Sequence, residues 1–303
     1  MSIERIVLVT KPTPLEELLR RHNSRAQAAF FLRTRGDDIS EYDAGHLAYR
    51  CGLERIRSGL PREIPLAMVE RDQLGSFLFR AADLVIVTGP DGLFVNLAKY
   101  IGEQPVLAIN PDPERIDGIV MRHPPAATAA KVRAILNGSF ETTQITLARA
   151  ATNDGRELHA VNDFLIGRCD QISARYVIAW RSKRERQSSS GILVSTGLGV
   201  SGWMKSVVAM VGGLGGGEAL RKELPQWADR SLVFVVREPF PSGYTNATIV
   251  HGRITARTPL VVTSEMPEGG AIFSDGMPDD RIEFGAGCTA TIHVADRTAN
   301  LVV

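Results

Sequence analysis

The sequence predicts an α/β amino-terminal domain with a parallel sheet, followed by an all-β, sandwich-like carboxy-terminal domain. In residues 1–138, short apolar runs alternate with helical patterns, which is typical of a parallel sheet with helices on both faces. In residues 139–303, short strand-like runs are separated by turn residues roughly every ten positions, which is typical of an antiparallel β-sandwich.

The apolar runs of the first domain predict four strands, and the first of them is rich in β-branched residues, as expected for a strand buried on both faces. They are RIVLVT (5–10), EIPLAMVE (63–70), DLVIVT (83–88) and PVLAIN (105–110). The intervening patterns predict helices over residues 14–34, 41–58 and 93–101, and a last helix that ends at Asn137-Gly138.

The second domain contains one helical segment, near residues 202–211. The run GGLGGG (212–217) follows it, and we interpret this run as a flexible loop or a helix stop. A phosphate-binding role is disfavoured because no strand precedes the run and no GK[ST] follows it. The basic run RSKRER (181–186) is predicted to be a solvated hairpin or loop.

Composition excludes several classes of protein. The chain has 303 residues, of which 44% are hydrophobic and 23% are charged, and its net charge of +1 gives no reason to expect a nucleic-acid or membrane partner. Its three cysteines are far apart and its six histidines lack metal-site spacing, so we expect no metal site. The start of the chain lacks the layout of a signal peptide, and we expect a cytoplasmic protein.

The turn GPDG is the first candidate site. Asp91 follows a buried strand and precedes a helix, with Gly89 and Gly92 beside it, and ligands commonly bind at this position in α/β sheets. An ionised carboxylate there can accept a proton from a hydroxyl group. The alternative is that Asp91 is only the N-cap of its helix. The stretch NPDPERIDG, with Asn110 and Asp112, forms a loop at the same edge of the sheet and is expected near this site.

Two further candidates lie in the second domain. In AVNDFLIGR, the adjacent polar residues Asn162 and Asp163 interrupt an apolar strand, which predicts a bend, a bulge or a ligand site. In GILVSTGLGVSGW, a buried strand passes through a Gly-rich turn into a helix, where backbone amides and the Ser201 hydroxyl can face an anion or a nucleotide. Trp203 lies next to that turn, either against a base or as an ordinary core residue.

With these stretches in order along nearly the whole chain, the sequence resembles the NAD kinase family, and most closely its mitochondrial-type branch. VTGPDGLFVNLAKY resembles the family's GGDG motif and AVNDFLIGR its Asn-Glu/Asp motif. SSSGILVSTGLGVSGW resembles its Gly-rich turn. INPDPERIDG and VVREPF are similar to stretches of the mitochondrial-type branch.

The resemblance implies an NAD kinase-like fold, with a nucleotide-binding domain followed by a dinucleotide-binding domain. It implies phosphoryl transfer from ATP, accompanied by Mg²⁺, to the 2′-hydroxyl of the adenosine ribose of NAD(H). It also implies a homodimer or homotetramer. Asp91 would be catalytic, and Gly89, Asn110 and Asp112 would belong to the phosphate or nucleotide loop. The implied substrate-binding residues are Gly92, Asn162, Asp163, Thr196, Gly199, Ser201, Gly202 and Trp203.

The chain departs from the family pattern at positions that would face phosphate. Pro90 replaces a glycine of GGDG and lacks its N–H, and Leu93 replaces a threonine. Leu198 and Val200 replace hydroxyl residues in the Gly-rich turn. Two alternatives therefore accompany the NAD kinase hypothesis. One is a catalytically weakened or inactive NAD(P)-binding relative, and the other is a kinase of the wider superfamily with another substrate.

Overall fold

The chain forms two compact units in a computed structural model that describes residues 3–303, apart from the side chain of Pro278. The first unit comprises the residues up to Thr143 together with Asn300–Val303, and the second comprises Gln144–Ala299. The sequence pattern puts its boundary after residue 138 and leaves the last four residues in the second domain. They lie in the first unit because the end of the last strand pairs with the sheet there.

The first unit is built on a parallel sheet, as the sequence predicts. Its strands are β1 (Arg5–Thr10), β2 (Leu66–Glu70), β3 (Asp83–Thr88) and β4 (Pro105–Ile109). Its helices are α1 (Pro14–His22), α2 (Arg25–Arg33), α3 (Ile39–Ser58), α4 (Asp91–Ala98) and α5 (Thr128–Leu136). The strand order is β2-β1-β3-β4, and all pairs are parallel. Every residue of β3 is buried, and apolar residues of β1, β3 and β4 pack with α3 and α5 in one core.

The single helix predicted over residues 14–34 is wrong, because the structure breaks it into α1 and α2. Asn23 adopts a left-handed conformation with φ 59°, which asparagine tolerates better than most residues. Ser24 then caps α2, because its side chain accepts a hydrogen bond from the N–H of Gln27 at 3.2 Å. A capping signal inside an otherwise helical pattern therefore restarts the helix.

The second unit consists of antiparallel sheets around a shared apolar core. Its strands are β5 (Thr142–Thr152), β6 (Glu157–Ala160), β7 (Asp163–Arg168), β8 (Ala174–Trp180), β9 (Lys183–Ser189), β10 (Ile192–Ser195), β11 (Leu232–Val236), β12 (His251–Ile254), β13 (Leu260–Ser264), β14 (Gly270–Ser274), β15 (Met277–Glu283) and β16 (Thr289–Val302). One sheet has the order β12-β11-β10-β7-β14-β15, and β8, β9, β13 and β16 contribute to the other. Phe164, Tyr176, Phe234 and Ile292 join both in one core, which confirms the sandwich-like fold class.

The prediction of a hairpin for RSKRER is confirmed, because after the turn at Arg181 the run becomes β9, which pairs antiparallel with β8. The chain bends at Val161-Asn162, between β6 and β7. The remaining helices are α6 (Trp203–Gly213) and α7 (Glu218–Glu223), and α6 ends within the Gly-rich run, as a helix stop would. Among the described residues, no helix combines the length and the apolarity that crossing a membrane requires.

Candidate functional site

The turn between β3 and α4 carries Asp91 as the first residue of the helix, because Pro90 is the N-cap. The N-cap alternative for Asp91 is therefore wrong. Gly89 precedes the turn with φ 152°, and Gly92 is exposed beside Asp91. Leu93 is buried at 1% exposure, so its side chain faces the core. The turn thus presents one polar side chain, Asp91.

The carboxylate of Asp91 accepts three hydrogen bonds from successive backbone amides. Its Oδ2 accepts the N–H of Ile119 at 2.9 Å, and its Oδ1 accepts those of Val120 and Met121 at 3.0 Å each. A carboxylate offers about four acceptor positions, so one position on Oδ2 is left. Asp91 is only partly buried, and this position is suited to a hydroxyl group of a ligand.

The loop after β4 is organised by Asn110. Its side-chain Nδ2 donates to the carbonyl oxygen of Ile116 at 2.7 Å, and its Oδ1 accepts the N–H of Asp112 at 3.0 Å. The end of the same loop supplies the amides that hold Asp91. The expectation that this stretch lies beside Asp91 is confirmed, and Asn110 acts there by shaping the backbone.

A cavity of about 260 Å³ lies beside this turn in the first unit. Its walls are mostly apolar, with charged groups from Lys11, Asp112 and Arg115. Arg115 donates a hydrogen bond to the buried carboxylate of Asp112 at 3.1 Å. The Nζ of Lys11 lies farther from its acidic neighbour, at 4.0 Å from the Oε1 of Glu17. The other lining residues are Pro12, Thr13, Pro14, Gly45, Tyr49, Pro90 and Ile116. Such a cavity suits the apolar part of a ligand that also carries an anionic group.

Tyr49 is a buried residue that lines this cavity. Its hydroxyl donates to the carbonyl oxygen of Thr88 at 3.3 Å, at the end of β3. Burial raises the pKa of Tyr49 to about 12, so the phenol stays protonated and keeps its donor role at neutral pH. The tyrosine therefore contributes a fixed wall and no charge.

In the second unit, Asn162 and Asp163 lie where the chain bends from β6 into β7. The carboxylate of Asp275 holds this bend. It accepts the N–H of Asn162 at 2.7 Å, and those of Val161 and Asp163 at 3.1 Å each. Asp163 is 7% exposed. The predicted bend is thus confirmed, and its conformation depends on a residue more than a hundred positions away.

The Gly-rich turn lies directly against this bend. Thr196 donates its N–H to the carbonyl oxygen of Asn162 at 2.9 Å and its hydroxyl to that of Val161 at 2.6 Å. The Thr196 hydroxyl also accepts the N–H of Gly199 at 3.2 Å. A Cβ on Gly199 would lie 2.1 Å from the carbonyl oxygen of Asn162, so only glycine fits.

The turn ends where α6 begins. The Ser201 hydroxyl donates to the carbonyl oxygen of Leu198 at 2.9 Å, and Gly202 is the N-cap of the helix. Trp203, the first helical residue, is 37% exposed, and the guanidinium of Arg237 lies 5.2 Å from its ring centroid. Trp203 is therefore not the fully buried core residue that the alternative interpretation expected.

A second cavity, of about 280 Å³, lies in this unit. Asp163 and Trp203 both line it, so the structure brings the second and third candidate stretches together. The other lining residues are Leu165, Arg168, Cys169, Phe273, Gly276 and Met277. An aromatic and apolar wall with one carboxylate and one guanidinium suits a flat ring that carries polar groups.

Sequence reasoning missed three charged residues of these sites. Asp275 lies in SDG, a sequence that is typical of an ordinary β-turn, and it adopts a left-handed φ of 52° there. Lys11 directly follows a predicted strand, and Arg115 belongs to the loop stretch that was already noted. The position of Lys11 after a parallel strand was a signal for a role at the sheet edge.

No protein metal centre is evident in the part of the chain that the structure describes. Residues 3–303 contain no group of three or more His, Cys, Asp or Glu side chains arranged to hold a metal ion. A single carboxylate such as Asp112, on the cavity wall, can still contact a magnesium ion whose other ligands are phosphate oxygens and water.

Comparison with solved structures identifies the fold. An NAD kinase from Archaeoglobus fulgidus in complex with ATP matches with a TM-score of 0.58 and 14% identity, over 98% of this chain and 92% of that chain. Yeast NADH kinase complexed with NADH matches with a TM-score of 0.63 and 12% identity, over 100% of this chain and 84% of that chain. No protein-family model matches the sequence, and neither does any curated protein. The chain therefore has an NAD kinase-like fold.

Proposed function

We propose that this protein is an NAD kinase, which transfers a phosphoryl group from ATP to the 2′-hydroxyl of the adenosine ribose of NAD(H). The observation that carries the proposal is Asp91, whose carboxylate is held by three backbone amides with one acceptor position left. In this role the remaining position of Oδ2 accepts a hydrogen bond from the 2′-hydroxyl and takes its proton. The 2′-oxygen then forms a bond to the γ-phosphorus of ATP as the bond from that phosphorus to the bridging oxygen breaks and ADP leaves. Phosphoryl transfer depends mainly on positioning and charge stabilisation. One fixed carboxylate is therefore sufficient as the general base.

The dinucleotide in this proposal binds to the second unit. Asn162 and Asp163 lie on a bend that is held in place before any ligand arrives. Thr196 and Gly199 bring the Gly-rich turn against that bend, and Trp203 exposes an aromatic face beside Asp163. Preorganised polar groups and an aromatic face lower the ordering cost of binding a nucleoside.

ATP in this proposal uses the cavity of the first unit. Lys11 and Arg115 carry the positive charges on its wall, and both are suited to phosphate oxygens. Mg²⁺ enters with ATP and shields the charge of the phosphate groups. Pro90, Pro12 and Tyr49 supply the apolar surface.

A second candidate function is NAD(H) binding without phosphoryl transfer. Pro90 removes one backbone N–H from the motif, and Leu93 is buried where the family carries a hydroxyl residue. Each lost hydrogen bond to a charged group costs about 1.5–3 kcal/mol, which is roughly tenfold to a hundredfold in rate if it acts in the transition state. In this second function, the binding site of the second unit is retained and the phosphoryl transfer at the first unit is lost.

The experiment that separates the two measures NADP(H) formation from NAD(H), ATP and Mg²⁺ by the wild type, Asp91→Asn and Asp117→Asn. Asparagine at position 91 cannot accept the hydroxyl proton, and we expect turnover to fall about a hundredfold or more. Asp117 is exposed in the same loop and serves as the matched control, with expected wild-type activity.

The outcomes are distinct. Turnover by the wild type and by Asp117→Asn, with none by Asp91→Asn, supports the kinase. Full activity in Asp91→Asn contradicts the assigned role of this residue. An inactive wild type that binds NAD(H) in calorimetry supports the second candidate. We also propose that the protein is cytoplasmic, that it belongs to the mitochondrial-type branch and that it forms a homodimer or homotetramer. Light scattering would measure the mass of the assembly.

A further inference from the structure

Asp275 contacts the Asn162-Asp163 bend through both of its carboxylate oxygens and through its backbone N–H. Its Oδ1 lies within 3.1 Å of three successive backbone nitrogens, those of Val161, Asn162 and Asp163, and its Oδ2 lies 3.1 Å from that of Val161. The N–H of Asp275 in turn donates to the carbonyl oxygen of Asp163 at 2.9 Å. The two segments are therefore bonded in both directions.

The geometry of the turn directs the carboxylate to this place. Asp275 has φ 52°, in the left-handed region, and Gly276 follows with φ 67°. Ser274, just before it, donates its hydroxyl to the carbonyl oxygen of His159 at 2.7 Å. Because β14 pairs with β7, the turn at the end of β14 lies beside the first residues of β7. The carboxylate satisfies amides that the bend removes from the sheet ladder.

We propose that Asp275 is a positioning residue for dinucleotide binding, an inference that rests on the function proposed above. Its carboxylate fixes the backbone of the bend, and the fixed bend presents Asn162 and Asp163 to the ligand. Without it, the bend must be ordered at the moment of binding, and that cost lowers the affinity for NAD(H). The ATP cavity of the first unit does not contain Asp275 or the bend, so ATP affinity is the internal reference.

Two substitutions separate the carboxylate from the turn conformation. Asp275→Asn tolerates the left-handed φ and keeps one acceptor oxygen, but it loses the charge and puts an amide nitrogen where Oδ2 meets the N–H of Val161. Asp275→Gly keeps the conformational freedom and the backbone N–H that donates to Asp163, and it removes every side-chain contact to the bend. Asp296→Asn is the matched control, because Asp296 is an exposed aspartate on β16 of the same unit.

The first measurement is calorimetric binding of NAD and of ATP to each variant. We expect the Kd for NAD to rise about tenfold in Asp275→Asn and further in Asp275→Gly, with the Kd for ATP and the control unchanged. In turnover assays the change should appear in the KM for NAD, with kcat retained at saturating NAD. A residue that merely stabilised the fold would affect both ligands together.

The second measurement needs no ligand. Amide hydrogen exchange of Val161, Asn162 and Asp163 should be faster in both Asp275 variants than in the wild type. Exchange in β9, which pairs with β8 and not with β7, should not change. Unchanged exchange at the bend would overturn the inference directly. Near-ultraviolet circular dichroism would show that each variant is folded, and the asparagine variant provides the test if the glycine variant is not.

The remaining outcomes are separable. A wild type that binds NAD, together with variants that bind it equally well, overturns the role of Asp275 and leaves the proposed function intact. A wild type that binds neither NAD nor NADH overturns the proposed function and this inference with it. Faster exchange at the bend together with selective loss of NAD affinity supports both.

Discussion

Gly199 is the position where the smallest change should have the largest effect. It lies in the Gly-rich turn, and a Cβ there would lie 2.1 Å from the carbonyl oxygen of Asn162 and 2.6 Å from the Oγ of Ser195. Both atoms belong to backbone or to a buried residue, so the added methyl group cannot be accommodated by a side-chain rotation. In Gly199→Ala, the turn and the bend at Asn162 must move apart.

The magnitude follows from what that movement breaks. Overpacking a tight site costs about 1–3 kcal/mol. The hydrogen bond from the N–H of Thr196 to the carbonyl oxygen of Asn162, now 2.9 Å, adds about 1 kcal/mol when it is lost. The total is about 2–4 kcal/mol, which corresponds to a fall in Tm of roughly 4–16 °C for a unit of this size. The affinity for NAD should fall about tenfold, because the same movement displaces the bend that carries Asn162 and Asp163.

The assay is thermal and urea unfolding together with NAD binding, and Gly213→Ala is the matched control. Gly213 is exposed in the last turn of α6, and a Cβ there meets nothing within 4 Å. Alanine in this helix should be neutral or stabilising by up to about 1 kcal/mol. Equal Tm values and equal NAD affinities in the two variants would refute the steric reasoning.

Three further predictions concern other parts of the molecule. Burial, with Arg297 nearby, lowers the pKa of His159 to about 4 from an ordinary 6.5, so the unfolded chain binds a proton between these pH values that the folded chain does not. Stability should therefore fall by about 1–2 kcal/mol as the pH drops from 6.5 to 4, after allowance for partial exposure, and His159→Gln should flatten this dependence in urea unfolding. Arg5 donates to Asp83 at 2.7 and 2.8 Å, and Asp83 is 1% exposed, so Arg5→Leu leaves a buried charge and should lower the unfolding free energy by about 3–5 kcal/mol. Arg50→Leu, at an exposed site, should change it by less than about 0.5 kcal/mol. Lys11→Ala should weaken ATP binding about tenfold in calorimetry without changing NAD binding, and equal ATP affinity would exclude Lys11 from the phosphate site.

Much of the fold was predictable because its signals are local. The apolar, β-branched runs form the buried strands β1, β3 and β4. Such runs favour a buried strand wherever helices cover the sheet. The adjacent polar residues Asn162 and Asp163 interrupt the apolar pattern, and the chain bends at Val161-Asn162 before β7 begins at Asp163. The helix over residues 14–34 failed because the left-handed Asn23 and the capping Ser24 outweigh the helical period around them.

The sequence by itself determined the two types of domain, the parallel sheet and the positions of the turns that carry Asp91, Asn162 and Gly199. Hydrophobic period, turn chemistry and backbone sterics act over a few residues, so a linear pattern contains them. Only the tertiary structure decided what these turns do. Asp91 meets amides 28 to 30 positions away, and Asp275 meets amides 112 to 114 positions away. Such hydrogen bonds form because packing brings distant backbone together and leaves its N–H groups to be satisfied, and no local pattern specifies which carboxylate will satisfy them.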